Sequence, residues 1–225
     1  MYEAASLGGL LVFRPYLCHM ATILDHAKRI QALAQIGLTY SPNPYDLERY
    51  EELNDIALSL MEMATDVPKE KLALHFRGER EYVTPKVDIR AVIFNEAGEI
   101  LLVRESADGR WALPGGWADV GYSPKEIAEK EVREETGLEV MPTRLLAVLD
   151  KRLHGHPPAL EYTYKLFIEC VPKEGAPLRP SHDILDCAFF AEDNLPPLSL
   201  ERVTPEQIRL MFSYAGSEEK PVTLD

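Results

Sequence analysis

The sequence predicts an α/β protein, a mixed sheet packed between helices and preceded by a small N-terminal helical hairpin. Three observations carry this prediction. Up to residue 68 apolar residues recur every three or four positions, the period of one helix face. From residue 87 onward, short apolar runs bounded by Asn, Gly and Pro replace that period and read as strands. Two later segments carry complete helix-start signals, which sets helices among those strands.

Residues 22–36 read as the first helix, with Ile23, Ala27, Ile30 and Ala34 on one face and Gly37 as its stop. Ser41-Pro-Asn-Pro44 is a connector in which Asn43 caps the second helix and Pro44 takes its first position. That helix carries Leu47, Tyr50, Leu53, Ala57 and Leu60 along one stripe. Residues 87–94 and 100–104 are strands joined by the turn at Asn95–Gly98, and Gly115-Gly116 opens a loop. The next helix has Ser123 as N-cap, Pro124 at its first position, Glu126 completing a capping box and Gly137 as the stop. Further strands are read at 145–151, 162–170 and 187–190. A second capping box, Thr204 to Gln207, starts a last helix that runs to about residue 214. The boundaries expected are therefore an unstructured or non-native leader over 1–20, with Met20 as natural start, a hairpin over 21–68 and the catalytic domain over 69–225.

Composition narrows the function. The 225 residues hold 24 Lys plus Arg against 37 Asp plus Glu, a net charge of −13, which repels nucleic-acid backbones and argues against a nucleic-acid partner. A small phosphorylated substrate stays compatible, because a bound cation reverses the local field. The three cysteines have neither disulfide-framework nor zinc spacing, which fits a reducing cytoplasm. No apolar run approaches the roughly 18–20 residues that span a bilayer, so no membrane association is expected.

The chemistry is concentrated in the helix ending Lys130-Glu-Val-Arg-Glu-Glu-Thr-Gly137. At roughly 100° per residue, Glu131, Glu134 and Glu135 share a side with Ile127, Ala128 and Val132. Three carboxylates on a sheet-facing half need positive charge among them, and hard oxygen donors suit Mg²⁺, with Mn²⁺ as the alternative, rather than zinc. On a random acidic helix such glutamates would be solvated surface charge; the adjoining Gly-Gly loop argues otherwise here.

Gly116 through Leu138 resembles the Nudix box: Gly, five residues, Glu, seven residues, then Arg-Glu-apolar-any-Glu-Glu-any-Gly-apolar, matched without a gap over twenty-three positions. Two positions depart from it, Tyr122 standing for the Glu and Lys130 for the Arg. In the family these two side chains brace loop against helix, so the brace is in question while the three glutamates are kept. Residues 110–200 extend the resemblance, and the N-terminal segment looks like the helical leader of a bacterial subgroup that hydrolyses nucleoside diphosphates linked to another moiety, CDP-choline and ADP-ribose among them.

The resemblance implies a Nudix α/β/α sandwich and Mg²⁺-dependent cleavage of the pyrophosphate bond in a small nucleotide-derived substrate. It implies Glu131, Glu134 and Glu135 as metal ligands, with a main-chain carbonyl near Gly115 as a further one. The general base is then Glu134 or an acid outside the box, Asp183 first in line. For the substrate, Arg90 and Arg104 are candidates to hold phosphate, His182 to contact it, and Trp117 to stack on a base. His154 and His156, beside Pro157 and Pro158, read as a turn. The family core is complete without the hairpin, whose apolar stripes are expected to meet a second copy in a homodimer. Two other classes stay open: a Nudix-like domain that binds a nucleotide and regulates a partner without efficient turnover, and a structural interaction domain that binds no metal.

Overall fold

The computed structural model describes residues 22–76, 82–173, 177–217 and 220–225. The expected leader over 1–20, Met20 and Cys18 with it, lies outside the described residues.

Helix α1 (Ile23–Tyr40) opens with a capping box between Thr22 and Asp25, and α2 (Pro44–Thr65) has Asn43 as N-cap and Pro44 at its first position, as read from the sequence. Gly37 is not a stop. The helix runs through it to Tyr40, because a Cβ at Gly37 would lie 2.4 Å from the Tyr50 ring; the glycine admits the neighbouring helix. A third helix not read from the sequence, α3 (Lys69–His75), buries Leu72 in a cluster with Leu24, Ala27, Leu58 and Met61. The expected stripes are buried in part: Ala27, Ala34 and Ala57 are inside, while Ile23 and Leu53 are exposed.

The remaining strands are β1 (Lys86–Val92), β2 (Ile100–Glu105), β3 (Trp111–Ala112), β4 (Gly115–Trp117), β5 (Val140–Asp150), β6 (Thr163–Pro172), β7 (Ile184–Phe190) and β8 (Thr223–Leu224), with α4 (Pro124–Thr136) and α5 (Pro205–Phe212). They form a five-stranded sheet in the order β4-β1-β6-β5-β8 and a three-stranded sheet in the order β3-β2-β7. β1 runs parallel to β6 and β5 parallel to β8, while β4, β5 and β7 pair antiparallel with β1, β6 and β2, so the sheet is mixed as predicted.

Alternation along the strands feeds two cores. Val92, Ile100, Leu102 and Phe167 pack with Ile208, Met211 and Tyr214 at α5. Ile89, Ala91, Leu101 and Ile168 pack with Ile127, Ala128 and Val132 of α4. With both strand faces covered, β2 reads as an apolar run over Ile100–Val103, whereas β1 carries the buried charges Asp88 and Arg90. Each large aliphatic side chain buried this way stabilises the fold by about 1.5–3 kcal/mol. Among the described residues, no helix is long and apolar enough to cross a membrane, and Cys170 and Cys187 are buried free thiols.

Candidate active site

The α4 helix begins and ends on the expected signals: Ser123 and Glu126 exchange hydrogen bonds, and Gly137 closes the helix at φ 73°. With Ile127, Ala128 and Val132 fixed in the core, the adjoining positions Glu131 and Glu135 face a cavity of about 560 Å³. Across it stand Asp88 and Arg90 of β1, Gly115 and Gly116 of β4, and Glu105 at the end of β2.

Gly115 makes room for the neighbouring strand and Gly116 for a carboxylate. Gly115 lies at φ 140°, where a Cβ would meet the Ile89 carbonyl oxygen at 2.0 Å, so no side chain fits between β4 and β1. Its N–H donates to Glu135 Oε2 at 3.0 Å. A Cβ at Gly116 would come within 3.3 Å of the Glu131 carboxylate.

Burial pushes the Glu135 carboxyl up to about 8, against the pull of Arg90 and the Gly115 amide. Glu131 is also raised, by burial first. Neither glutamate forms an ion pair among the described residues, because the Arg90 guanidinium is committed elsewhere: it meets Asp88 at 2.9 Å and donates to the Leu113 carbonyl at 3.0 Å. Two part-buried carboxylates of raised pKa, side by side with no dedicated counter-charge, fit a hard divalent cation in their donor chemistry.

Of the three expected glutamates, Glu131 and Glu135 line the cavity and Glu134 does not. Glu134 keeps 54% of its side chain exposed and lies 3.9 Å from Lys130 Nζ; it sits roughly 100° around the helix from Glu135, on the flank of the buried stripe. Among the described residues, no three His, Cys, Asp or Glu side chains are gathered closely enough to hold an ion.

The brace between loop and helix exists with a different partner. Lys130 Nζ meets Asp119 Oδ2 at 2.8 Å and lies 5.8 Å from the centre of the Tyr122 ring. The carboxylate missing at position 122 is supplied three residues earlier.

Arg104 points away from the cavity and donates to the Gly109 carbonyl at 3.0 Å, because strand alternation turns its neighbour Glu105 inward instead. His182 and Asp183 have side chains 100% and 90% exposed and meet only each other, at 3.2 Å; the buried residue of that turn is Ile184, which anchors β7 and leaves its flanking side chains in solvent. Trp117 does line the cavity, half-exposed, with Lys86 Nζ 5.2 Å over its ring. Trp111 packs edge-on against Phe190.

The charges behind Arg90 were not read from the sequence. Lys165 of β6 is in register with Asp88 of β1, and its ammonium is bonded to that carboxylate. Burial lowers Lys165 to about 8, while Arg90 and Lys165 together outweigh burial and hold Asp88 below the usual carboxylate range. The available signal was the pair of charges two apart in Val87-Asp-Ile-Arg90, which puts both on one strand face.

Comparison with known proteins accords with this geometry. Residues 84–212 match the family model of the NUDIX domain, and the chain belongs to the Nudix family, whose members hydrolyse pyrophosphate bonds. Residues 21–76 match a second model, described as a UDP-X-like N-terminal oligomerisation domain. The Bacillus subtilis protein YjhB, whose name carries ADP-ribose pyrophosphatase as an inferred activity, is 42% identical over 205 residues, covering 90% of this chain and 96% of its own. The crystal structure of an ADP-ribose pyrophosphatase from Streptococcus suis superposes with a TM-score of 0.57 at 43% identity, covering 63% of this chain and 100% of its own. That of a UDP-X diphosphatase superposes at 0.59 with 35% identity, covering 90% and 98%.

Proposed function

We propose that this enzyme cleaves the pyrophosphate bond of a nucleoside diphosphate joined to a second moiety, of the ADP-ribose or UDP-sugar type, and that it requires Mg²⁺ or Mn²⁺. The observation that carries the reading is the pair Glu131 and Glu135, held without a counter-charge opposite Gly115 and Gly116. The named activities of its relatives support the substrate class. CDP-choline, which the resemblance of the helical leader also implied, is named by none of these three.

Glu131 and Glu135 would hold the cation, with Glu134 on the rim and the Gly115 carbonyl as further donors. A bound divalent cation supplies a water of lowered pKa and neutralises charge on the diphosphate. Arg90, fixed by Asp88 and Leu113, adds positive charge at the cavity floor without further reorganisation. The Gly115 amide holds Glu135 in one orientation. Of the two acids expected as proton acceptor, Glu134 is retained, since it shares a helical turn with the site; Asp183 faces solvent and is not. The pairing of Lys130 with Asp119, which braces the loop despite Tyr122, supports the catalytic reading over binding without turnover.

The helical unit is proposed to join two copies, since Ile23, Leu33, Leu53, Ile56 and Met63 remain exposed on α1 and α2, and its family model is that of an oligomerisation domain. The buried free thiols support a reducing, cytoplasmic setting. The test of the function is hydrolysis of ADP-ribose and UDP-sugars with and without Mg²⁺, followed by phosphatase-coupled phosphate release.

A further inference from the structure

The helical unit also reaches the catalytic cavity within its own chain. The segment 157–162, which begins Pro157-Pro158 and carries no helix or strand, is held from α1. Lys28 is only 4% exposed, and its Nζ donates to the Ala159 carbonyl at 2.6 Å and the Glu161 carbonyl at 3.2 Å. The same ammonium lies 4.3 Å over the Tyr162 ring, whose hydroxyl donates to the Asp25 carbonyl at 3.3 Å. Leu160 packs against the cluster of Leu24, Leu58 and Leu72. Ala159 and Glu161 in turn line the cavity that contains Glu131 and Glu135. A buried ammonium is costly unless its donors are matched, and without it two carbonyls lose their partner.

The chemistry of this wall selects among leaving groups. Lys151, Glu161, Thr163 and Glu201 offer donors and acceptors together, which suits hydroxyl groups, since each hydroxyl both donates and accepts. A quaternary ammonium is recognised by open aromatic faces. The aromatic lining this cavity among the described residues is Trp117, and Lys86 already stands over its ring.

We propose that Lys28 is a positioning residue: through the carbonyls of Ala159 and Glu161 it sets the wall against which a hydroxyl-rich moiety of the substrate rests, making the helical unit a determinant of leaving-group specificity. This rests on the reading of the cavity as the pyrophosphatase site. Steady-state kinetics on the full chain with ADP-ribose, a UDP-hexose and CDP-choline test it, in wild type, Lys28→Met, Lys28→Arg and Tyr162→Phe. Lys28→Met is expected to raise KM for the two sugar substrates about tenfold with kcat within about twofold. KM for CDP-choline stays near its wild-type value, and Lys28→Arg recovers most of the loss. Tyr162→Phe, which removes only the hydroxyl bonded to Asp25, moves KM the same way by less and decides the matter should Lys28→Met not fold. Folded variants with unchanged KM for the sugars, or with equal loss of kcat on all three substrates, overturn the inference alone. A wild-type chain that hydrolyses none of the three in Mg²⁺ overturns the parent reading and this one with it.

Discussion

Lys130 Nζ stands 2.8 Å from Asp119 Oδ2, so the ion pair that ties the loop before α4 to the helix uses an aspartate three residues upstream of the position where the family places its glutamate. Tyr122, at that family position, contributes its ring face to the same ammonium at 5.8 Å.

If this pair orders the loop, Asp119→Ala and Lys130→Met each lower the melting temperature slightly and kcat by several-fold, and the double variant is no worse than either single one. Tyr122→Glu alone has little effect, since Lys130 is already partnered. A double-mutant cycle on melting temperature and kcat measures this; strictly additive losses would show that the two residues do not act together.

Gly115→Ala is expected to destabilise the protein by about 2–4 kcal/mol, from positive φ and overpacking combined, because the new methyl meets the Ile89 carbonyl. Denaturant titration and activity report it together, since the same amide orients Glu135. A variant as stable and active as wild type would refute the close approach of β4 to β1.

His156 sets a pH dependence of stability. Its Nδ1–H donates to the Leu200 carbonyl at 2.7 Å, Nε2 is buried without a partner among the described residues, and burial pushes the imidazole down to about 4 from 6.5. The unfolded chain therefore binds the proton more readily between these values. The stability is complete above pH 6.5 and is lost progressively as pH falls towards 4. The loss is about 1–2 kcal/mol, reduced from the full shift because the ring keeps some contact with solvent. Urea midpoints at pH 7, 6 and 5 should fall in wild type and stay flatter in His156→Asn; parallel slopes would contradict this.

Much of this was legible in the residues. Local signals were read correctly where side chain and backbone decide the outcome within one turn, as at Asn43-Pro44, Ser123 to Glu126 and Thr204 to Gln207. Gly37 misled because a glycine that stops a helix and one that admits a neighbouring helix look alike in one dimension. Helix α3 has only 7 residues, too few to show a period. Of the residues expected in the site, Glu131, Glu135, Arg90, Gly115 and Trp117 line one cavity. Glu134 lies on the flank of the buried stripe of α4, and a helical wheel does not tell the centre of a stripe from its flank. Glu105 and Lys165 were missed because strand register decides which residue of a neighbouring pair faces inward.

Sedimentation velocity at micromolar concentration should show the full chain as a dimer, and Ile56→Glu with Met63→Glu should dissociate it while leaving kcat nearly intact. The motive is the exposed apolar residues along α1 and α2. A monomeric wild type would rule out this interface, and a dimer that survives both charges would place it elsewhere.

Phosphate release from ADP-ribose by wild type and Glu135→Gln at saturating Mg²⁺ decides whether Glu131 and Glu135 form a cation-dependent pyrophosphatase site. Chelation is expected to abolish turnover in wild type, and Glu135→Gln to lower kcat about a hundredfold or more with the fold intact. Undiminished turnover by Glu135→Gln, or wild-type activity indifferent to chelation, would contradict it.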